Sequence, residues 1–292
     1  MTASAAQTTD HTSDQPASPG RRRFLKLAFS AAVLGSAVGA AHGVDTEDLQ
    51  IEDHKVQIKG WPKSAAGLKI GHLSDFHVDC KLALARTKRS VAMLLAQKPD
   101  VVFLTGDFVT YKPHIWAKPC AEALVPLANV PGGAYGVLGN HDWWSNGKNL
   151  VARAVEEAGI MMLRNDSCPL KQAPGVWIVG LDDRCVSKED PERALRNVPE
   201  DSIKLLLVHE PDYADEAPPV FAFQFSGHSH GGQIRCPGLP PIHTPKYGRD
   251  YPEGLQMAKY HPVYTTRGVG VMGPQLRLFC PPEVTILRIY PA

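Results

Sequence analysis

The sequence predicts an α/β fold with a largely parallel core, and two observations support this class. Short apolar runs of the kind that form buried strands alternate along the chain with segments of helical periodicity. Asp, Asn and His follow directly after several of these runs, which is where ligands bind in open α/β sheets. The 292 residues are enough for one large domain or two small ones.

The first half of the chain alternates predicted strands and helices. Partial apolar alternation over 49–58 predicts a first strand, and the chain then turns at Trp61-Pro62. Further short apolar runs predict strands at 68–73, 101–104 and 134–138. Helical periodicity predicts helices at 82–97, 115–127 and 150–158, the last of which is followed by the expected stop at Gly159.

The second half is richer in strands and loops. Apolar runs predict strands at 176–181, 203–208 and 221–225. Two C-terminal runs, 276–279 and 284–289, are separated by Cys280-Pro281-Pro282 and are interpreted as a closing β-hairpin. The Pro- and Gly-rich span 237–262 is predicted to be a long loop near the functional site.

The first 41 residues have the organisation of an export signal. Residues 1–20 are polar and predicted to be disordered, and the basic run Arg21-Arg22-Arg23-Phe24-Leu25-Lys26 precedes a mildly apolar stretch over 27–41. This order resembles a twin-arginine signal peptide, with Gly20 where that pattern has Ser or Thr. The resemblance implies export by the twin-arginine machinery to the periplasm or the outer face of the membrane. A basic amphipathic anchor is the alternative.

The charge balance argues against nucleic-acid binding. The net charge is +1, and the chain without residues 1–40 has 27 basic and 28 acidic residues, which is near neutral. The six cysteines show no CxxC or zinc-ribbon spacing, so they indicate neither a zinc site nor a disulfide pairing.

Polar motifs follow five of the predicted strands. They are Ser74-Asp75-Phe76-His77, Gly106-Asp107, Gly139-Asn140-His141-Asp142, His209-Glu210-Pro211 and Gly227-His228-Ser229-His230. Taken singly, each motif is also compatible with a turn or a buried histidine. Seven Asp, Asn and His groups at one sheet edge would be costly to desolvate without a cation, and these donors suit Mn, Fe, Zn or Ni better than calcium. So many donors favour two ions over one.

The order of these motifs resembles that of the calcineurin-like metallophosphoesterase superfamily over 68–289. The stretches "GVLGNHDWW", "GHSHGGQ" and "LFCPPEVTIL" further resemble its exported or membrane-associated bacterial phosphodiesterase branch. More distantly, they resemble enzymes that cleave the pyrophosphate of UDP-2,3-diacylglucosamine. The resemblance implies a four-layer α-β-β-α sandwich of two mixed sheets over 68–292, preceded by a first strand and linker over 42–67.

The resemblance also implies a set of ligands for two divalent ions. One ion would be bound by Asp75, His77, Asp107 and His230, and the other by Asp107, Asn140, His209 and His228. Asp107 would therefore bridge the ions, and a hydroxide between them would attack phosphorus in line with the leaving group. The catalytic residues implied are His141, over the phosphate, and Asp142, which could orient the imidazole of His141.

The leading hypothesis is a binuclear-metal phosphodiesterase that acts on an envelope-side substrate derived from a lipid or a nucleotide, with possible peripheral contact to the membrane. The first alternative is a pyrophosphate hydrolase acting on a lipid-linked nucleotide sugar such as UDP-2,3-diacylglucosamine. The second alternative is a metal-binding protein without catalytic activity.

Overall fold

Two mixed β-sheets of six strands each, with helices on their outer faces, form the part of the chain that the computed structural model describes, residues 46–273 and 275–292. The predicted signal peptide over 1–41 lies outside the described residues. Within the described ranges, no helix combines the length and the hydropathy needed to cross a bilayer.

The first sheet has β12 near its middle, although β12 is the last strand in sequence. In spatial order its strands are β1 (Gln50–Ile58), β12 (Glu283–Pro291), β2 (Leu68–Leu73), β3 (Val101–Leu104), β4 (Ala134–Gly136) and β5 (Met161–Met162). Only the β12–β2 pair is antiparallel, and the other pairs are parallel. Three of the polar motifs follow β2, β3 and β4 of this sheet.

The second sheet has four parallel strands between two antiparallel edge strands. In spatial order its strands are β10 (Gly254–Met257), β11 (Pro262–Thr265), β9 (Phe223–Ser226), β8 (Ile203–Leu207), β7 (Val176–Gly180) and β6 (Asp166–Pro169). The remaining two polar motifs follow β8 and β9.

The helices lie outside the sheets, which gives the layers of the sandwich. They are α1 (Lys81–Ala96), α2 (Pro113–Leu124), α3 (Asn140–Trp144), α4 (Lys148–Glu157) and α5 (Pro191–Leu195), with 3₁₀ turns at Lys63–Ala65, Val125–Asn129, Pro211–Asp215 and His230–Gly232. One apolar cluster lies between the sheets, a second joins the first sheet to α1, α2 and α4, and a third lies outside the second sheet. The predicted four-layer α-β-β-α sandwich is confirmed.

Burial on both faces explains why the parallel strands have continuous apolar runs. In β8, Leu205 and Leu207 join the cluster between the sheets, whereas Leu206 joins the cluster on the outer face. All three leucines are fully buried. A strand with one wet face would instead have alternated apolar and polar side chains.

The predicted C-terminal hairpin is wrong. Residues 276–279 form no strand, and Leu278 makes only an isolated bridge to Ile234, while β12 pairs with β1 and β2. Pro281 and Pro282 lack backbone N–H groups and therefore cannot donate the hydrogen bonds of a tight hairpin. The predicted loop over 237–262 also differs, since it contains β10.

Candidate metal centre

The nine predicted site residues come from both sheets. The prediction placed their motifs at the edge of one sheet, but β2, β3 and β4 belong to the first sheet and β8 and β9 to the second. Their carboxyl ends meet across the sandwich, where the side chains come within contact distance of one another. The two-sheet origin brings histidines from the second sheet to face carboxylates from the first.

One group of ligand atoms is formed by Asp75, His77 and His230. These atoms lie within 4.8 Å of one another, and all three residues are buried. Nε2 of His77 is 3.0 Å from Nε2 of His230, which in turn is 3.4 Å from Oδ1 of Asp75. Two imidazole nitrogens and a carboxylate oxygen therefore converge on one point.

A second group consists of Asp75, Asp107 and His209, whose ligand atoms also lie within 4.8 Å of one another. Oδ2 of Asp107 is 3.2 Å from Nε2 of His209 and 3.4 Å from Nε2 of His77. The carboxylate of Asp107 thus lies between a histidine of the first group and a histidine of the second.

Asn140 and His228 are the remaining predicted ligands. Asn140 is the first residue of α3, and its Oδ1 is buried without a hydrogen-bond partner in the part of the chain that the structure describes. The ring of His228 lies 5.0 Å from that of His209, measured between centroids. Its Nε2 donates a hydrogen bond of 2.8 Å to the backbone carbonyl of Lys246, which leaves Nδ1 as the nitrogen free to bind a cation.

The unpartnered atoms and fixed rings fit divalent metal ions. Oδ1 of Asn140 is buried without a hydrogen-bond partner among the described residues, and Nε2 of His209 faces the carboxylates of Asp107 and Asp75, an arrangement that a cation would satisfy. The other ring nitrogen of each histidine, Nδ1, already has a hydrogen-bond partner. For His77 this partner is the hydroxyl of Thr110, and for His209 it is the carbonyl of Thr105. Such contacts orient histidine ligands and leave the opposite nitrogen to face the ion.

Burial and mutual charge set the protonation of the group. Burial lowers the pKa of His77 to about 3, so its imidazole is neutral and able to bind a metal at neutral pH. Burial also raises the pKa of Asp75 to about 6. Although burial opposes ionisation of Asp107, the neighbouring His209 and His141 hold the pKa of that carboxyl well below its ordinary value. A bound cation would stabilise both carboxylates.

His141 and Asp142 have different surroundings. The half-buried ring of His141 lies beside that of His77, and its backbone N–H donates to Oδ1 of Asp107 at 2.8 Å. Asp142 is fully buried and accepts hydrogen bonds from the backbone N–H groups of Phe108, Val109 and Gly139. Among the described residues no hydrogen bond joins Asp142 to the His141 ring, so the predicted role of Asp142 in orienting that ring is replaced by a structural one.

Left-handed backbone conformations concentrate at the ligands. The φ angles of five of them are positive, at 54° for Asp75, 48° for His77, 54° for Asp107, 70° for His228 and 53° for His230. Non-glycine residues rarely adopt this region, so the folded chain holds these residues in strained conformations. Neighbouring glycines make room for them: a Cβ on Gly106 would meet the backbone of Gly139, and one on Gly227 would meet Asp75.

Sequence reasoning missed Arg277, which ties the ligand loops together. Its guanidinium is fully buried and donates to the backbone carbonyls of Arg267, Gly270 and Cys280, and it also approaches His230. The position of Arg277 beside the "LFCPPEVTIL" stretch was the available signal. No sequence signal identifies the carbonyl of Lys246, because every residue has a main-chain carbonyl acceptor.

The converging carboxylates and histidines define a class of proteins whose site can hold divalent metal ions. The calcineurin-like phosphoesterase family model matches residues 68–232, more than half of the chain, and the chain belongs to this family. It is therefore a hydrolase that acts on phosphoesters, and the family and the two ligand groups together support two divalent metal ions.

Three relatives show the range of the family around this chain. The uncharacterized metallophosphoesterase YkuE of Bacillus subtilis is 32% identical, with 92% of this chain and 97% of the relative covered. The phosphodiesterase YaeI of Escherichia coli is 29% identical, with 92% and 98% covered. The UDP-2,3-diacylglucosamine pyrophosphatase LpxG of Chlamydia muridarum is 25% identical, with 76% and 83% covered.

Proposed function

We propose that the protein is a phosphodiesterase dependent on two divalent ions. The observation that carries this proposal is the position of Asp107, whose Oδ2 lies 3.4 Å from His77 Nε2 and 3.2 Å from His209 Nε2. A carboxylate in that position can bridge two cations, the arrangement with which many enzymes cleave phosphoesters. The name of the relative YaeI supports a diester as the substrate.

The proposed ligands divide between the two ions, with Asp107 shared. The first ion would be held by Asp75, His77, Asp107 and His230, and the second by Asp107, Asn140, His209 and His228. When bound, the two ions supply Lewis acidity that polarises the phosphoryl oxygens and favours deprotonation of water.

His141 is the proposed catalytic side chain of the protein itself. Its backbone N–H holds Oδ1 of Asp107, which orients Oδ2 towards both histidines. Its ring lines the open cleft above the ligands, where the substrate phosphate would be bound. There the imidazole can donate a hydrogen bond to a phosphoryl oxygen and pass a proton to the leaving oxygen.

Replacing the bridging carboxylate tests the proposal directly. Asp107→Asn keeps the shape of the side chain but removes the charge that holds two cations near each other. We expect the variant to bind fewer than two ions and to hydrolyse bis(p-nitrophenyl) phosphate at least about 100-fold more slowly. Metal analysis and steady-state rates measure both effects, and Asp201→Asn, at an exposed carboxylate, is the matched control.

His141→Ala separates catalysis from metal binding in the same assay. We expect this variant to keep both ions and to lose about 100- to 10,000-fold in rate. Wild-type protein that holds two ions but is no faster than either variant would instead establish the non-catalytic alternative.

A pyrophosphate hydrolase is the second candidate, and the 25% identity to LpxG supports it. Incubation with UDP-2,3-diacylglucosamine followed by product analysis distinguishes the two candidates. Release of UMP at a kcat/KM above that for simple diesters would favour the pyrophosphatase over the phosphodiesterase.

We further propose that the twin-arginine motif at Arg21 and Arg22 exports the folded protein to the periplasmic side. An ion-loaded enzyme suits a route that carries folded proteins, and the substrate would then be an envelope phosphoester.

A further inference from the structure

A cleft of about 500 Å³ opens above the candidate metal centre and has two kinds of lining. Asp107, Asn140, His228 and His230 form its polar floor. The apolar residues of the lining, here called the apolar wall, are Trp144, Ile234, Ile242, Pro245 and Met272. The volume is that of a site for a small molecule, and a ligand at the floor would also contact the wall.

Two residues of the apolar wall are exposed without a packing reason. Trp144 ends α3 with 60% of its surface accessible, and Ile242 is 72% accessible. Core packing therefore does not explain these large side chains, and both line the cleft with exposed apolar surface.

The position of Trp144 relates the apolar wall to the reacting atoms. Its indole packs edge-on against the ring of His141, with centroids 5.1 Å apart. Because His141 is proposed to contact the phosphate, Trp144 would lie beside a group esterified to the same phosphorus. That group would leave water for an apolar surface on binding.

The charges of the residues that line the cleft also favour an uncharged apolar substituent. Among the described residues that line it there is neither lysine nor arginine. A substituent with further phosphates would find no such cation there beyond the metal centre. An uncharged apolar chain needs no lysine or arginine for its binding.

We propose that the apolar wall selects phosphodiesters in which one ester group is an alkyl chain. This inference rests on the proposed phosphodiesterase function and specifies its substrate class. Trp144 and Ile242 are the specificity-determining residues, and the chain length of the ester sets the gain in kcat/KM.

Alkyl p-nitrophenyl phosphates with methyl, butyl and octyl groups test the proposal. Water adds to phosphorus, the bond to the nitrophenyl oxygen breaks, and alkyl phosphate and p-nitrophenol are formed, with released protons taken up by solvent. In wild-type enzyme we expect kcat/KM to rise about fourfold per methylene until the wall is covered. All measurements are made below the critical micelle concentration, with the bound metal measured in every protein.

Matched variants locate the effect. Trp144→Ser and Ile242→Ser are expected to remove most of the dependence on chain length. Leu239→Ser is the control, since Leu239 is 57% accessible, belongs to the same segment as Ile242 and does not line the cleft. This control is expected to keep the full dependence.

The outcomes separate this inference from the function on which it rests. Two-metal wild-type enzyme that hydrolyses all three esters equally well would overturn the inference and leave the phosphodiesterase proposal in place. Two-metal enzyme that hydrolyses no diester would overturn the function itself. A chain-length dependence that survives in both serine variants would show that the apolar wall is not its cause.

Discussion

His72 is a fully buried histidine that lies on β2, three residues before Asp75. Its Nε2 contacts the hydroxyl of Thr105 at 2.8 Å, while its Nδ1 has no hydrogen-bond partner within residues 46–273 and 275–292. Burial lowers the pKa of His72 to about 3, so the ring stays neutral in the folded protein. An unfolded chain would protonate the same ring near pH 6.5.

This difference predicts a loss of stability in acid. Between pH 6.5 and about 3, His72 is protonated in the unfolded state but stays neutral in the folded state. The free energy of unfolding therefore falls as the pH falls. His72→Gln removes this contribution. We expect the wild-type protein to lose about 2 kcal/mol more than the variant between pH 7 and pH 5.

Urea denaturation of both proteins at the two pH values, with saturating metal, measures the difference. The metal ligands are identical in the two chains, so their titration cancels. Parallel changes in the wild type and His72→Gln would show that His72 does not contribute.

The candidate site was predictable residue by residue where side-chain chemistry repeats a pattern. Asp75, His77, Asp107 and their partners were identified because Asp, Asn and His recur after apolar runs. Their supports were not, since the hydroxyl of Thr110 and the carbonyl of Lys246 become specific only through three-dimensional proximity. The contacts of Asp142 were misjudged for the same reason.

At the scale of the element, α3 depends on Asp142. Its Oδ2 accepts from Gly139 N–H at the start of the helix, while Oδ1 accepts from Phe108 and Val109 in the loop after β3. One carboxylate thus joins the segment that carries Asn140 to the segment that carries Asp107.

Asp142→Asn is expected to destabilise the fold. The amide NH₂ would face one of the backbone N–H groups and leave a buried donor unpaired, which costs about 1–3 kcal/mol. Thermal unfolding should show a melting temperature lower by several degrees, with Asp201→Asn unchanged. If Asp142 instead acted through His141, kcat would fall and the melting temperature would stay the same.

Elements differ in how well the sequence predicts them. The strands β3 and β8 were predicted nearly to the residue, because burial on both faces leaves a run of consecutive apolar residues, Val101–Leu104 in β3 and Leu205–Leu207 in β8. β5 has two residues and α5 has five, too few to show a period. The false hairpin arose because β12 is apolar like any buried strand, and nothing local identifies its partners.

At the scale of the whole molecule, the C-terminal segment completes the domain. The family model ends at residue 232, yet β12 lies between β1 and β2, and β10 and β11 extend the second sheet. Arg277, from the same segment, holds the carbonyls around His230. The last 60 residues therefore complete the first sheet and support the loop that carries His230.

The proposed export of the whole protein has its own test. Replacing both Arg21 and Arg22 by Lys keeps the charge but removes the twin-arginine pattern. We expect the variant to accumulate inside the cell, as measured by fractionation and phosphodiesterase assay, while a Lys26→Arg variant is exported. Unchanged export of the double variant would refute the twin-arginine assignment.

The left-handed backbone at the ligands has a consequence for glycine substitution. Glycine at Asp75, His77, Asp107, His228 or His230 would relieve about 1–2 kcal/mol of local strain. At Asp75 and Asp107 it would also remove the carboxylate that accepts the backbone N–H of His228 or His141, which costs about 1–3 kcal/mol. Stability therefore gives little reason for these side chains at Asp75 and Asp107, and their binding chemistry is what requires them there.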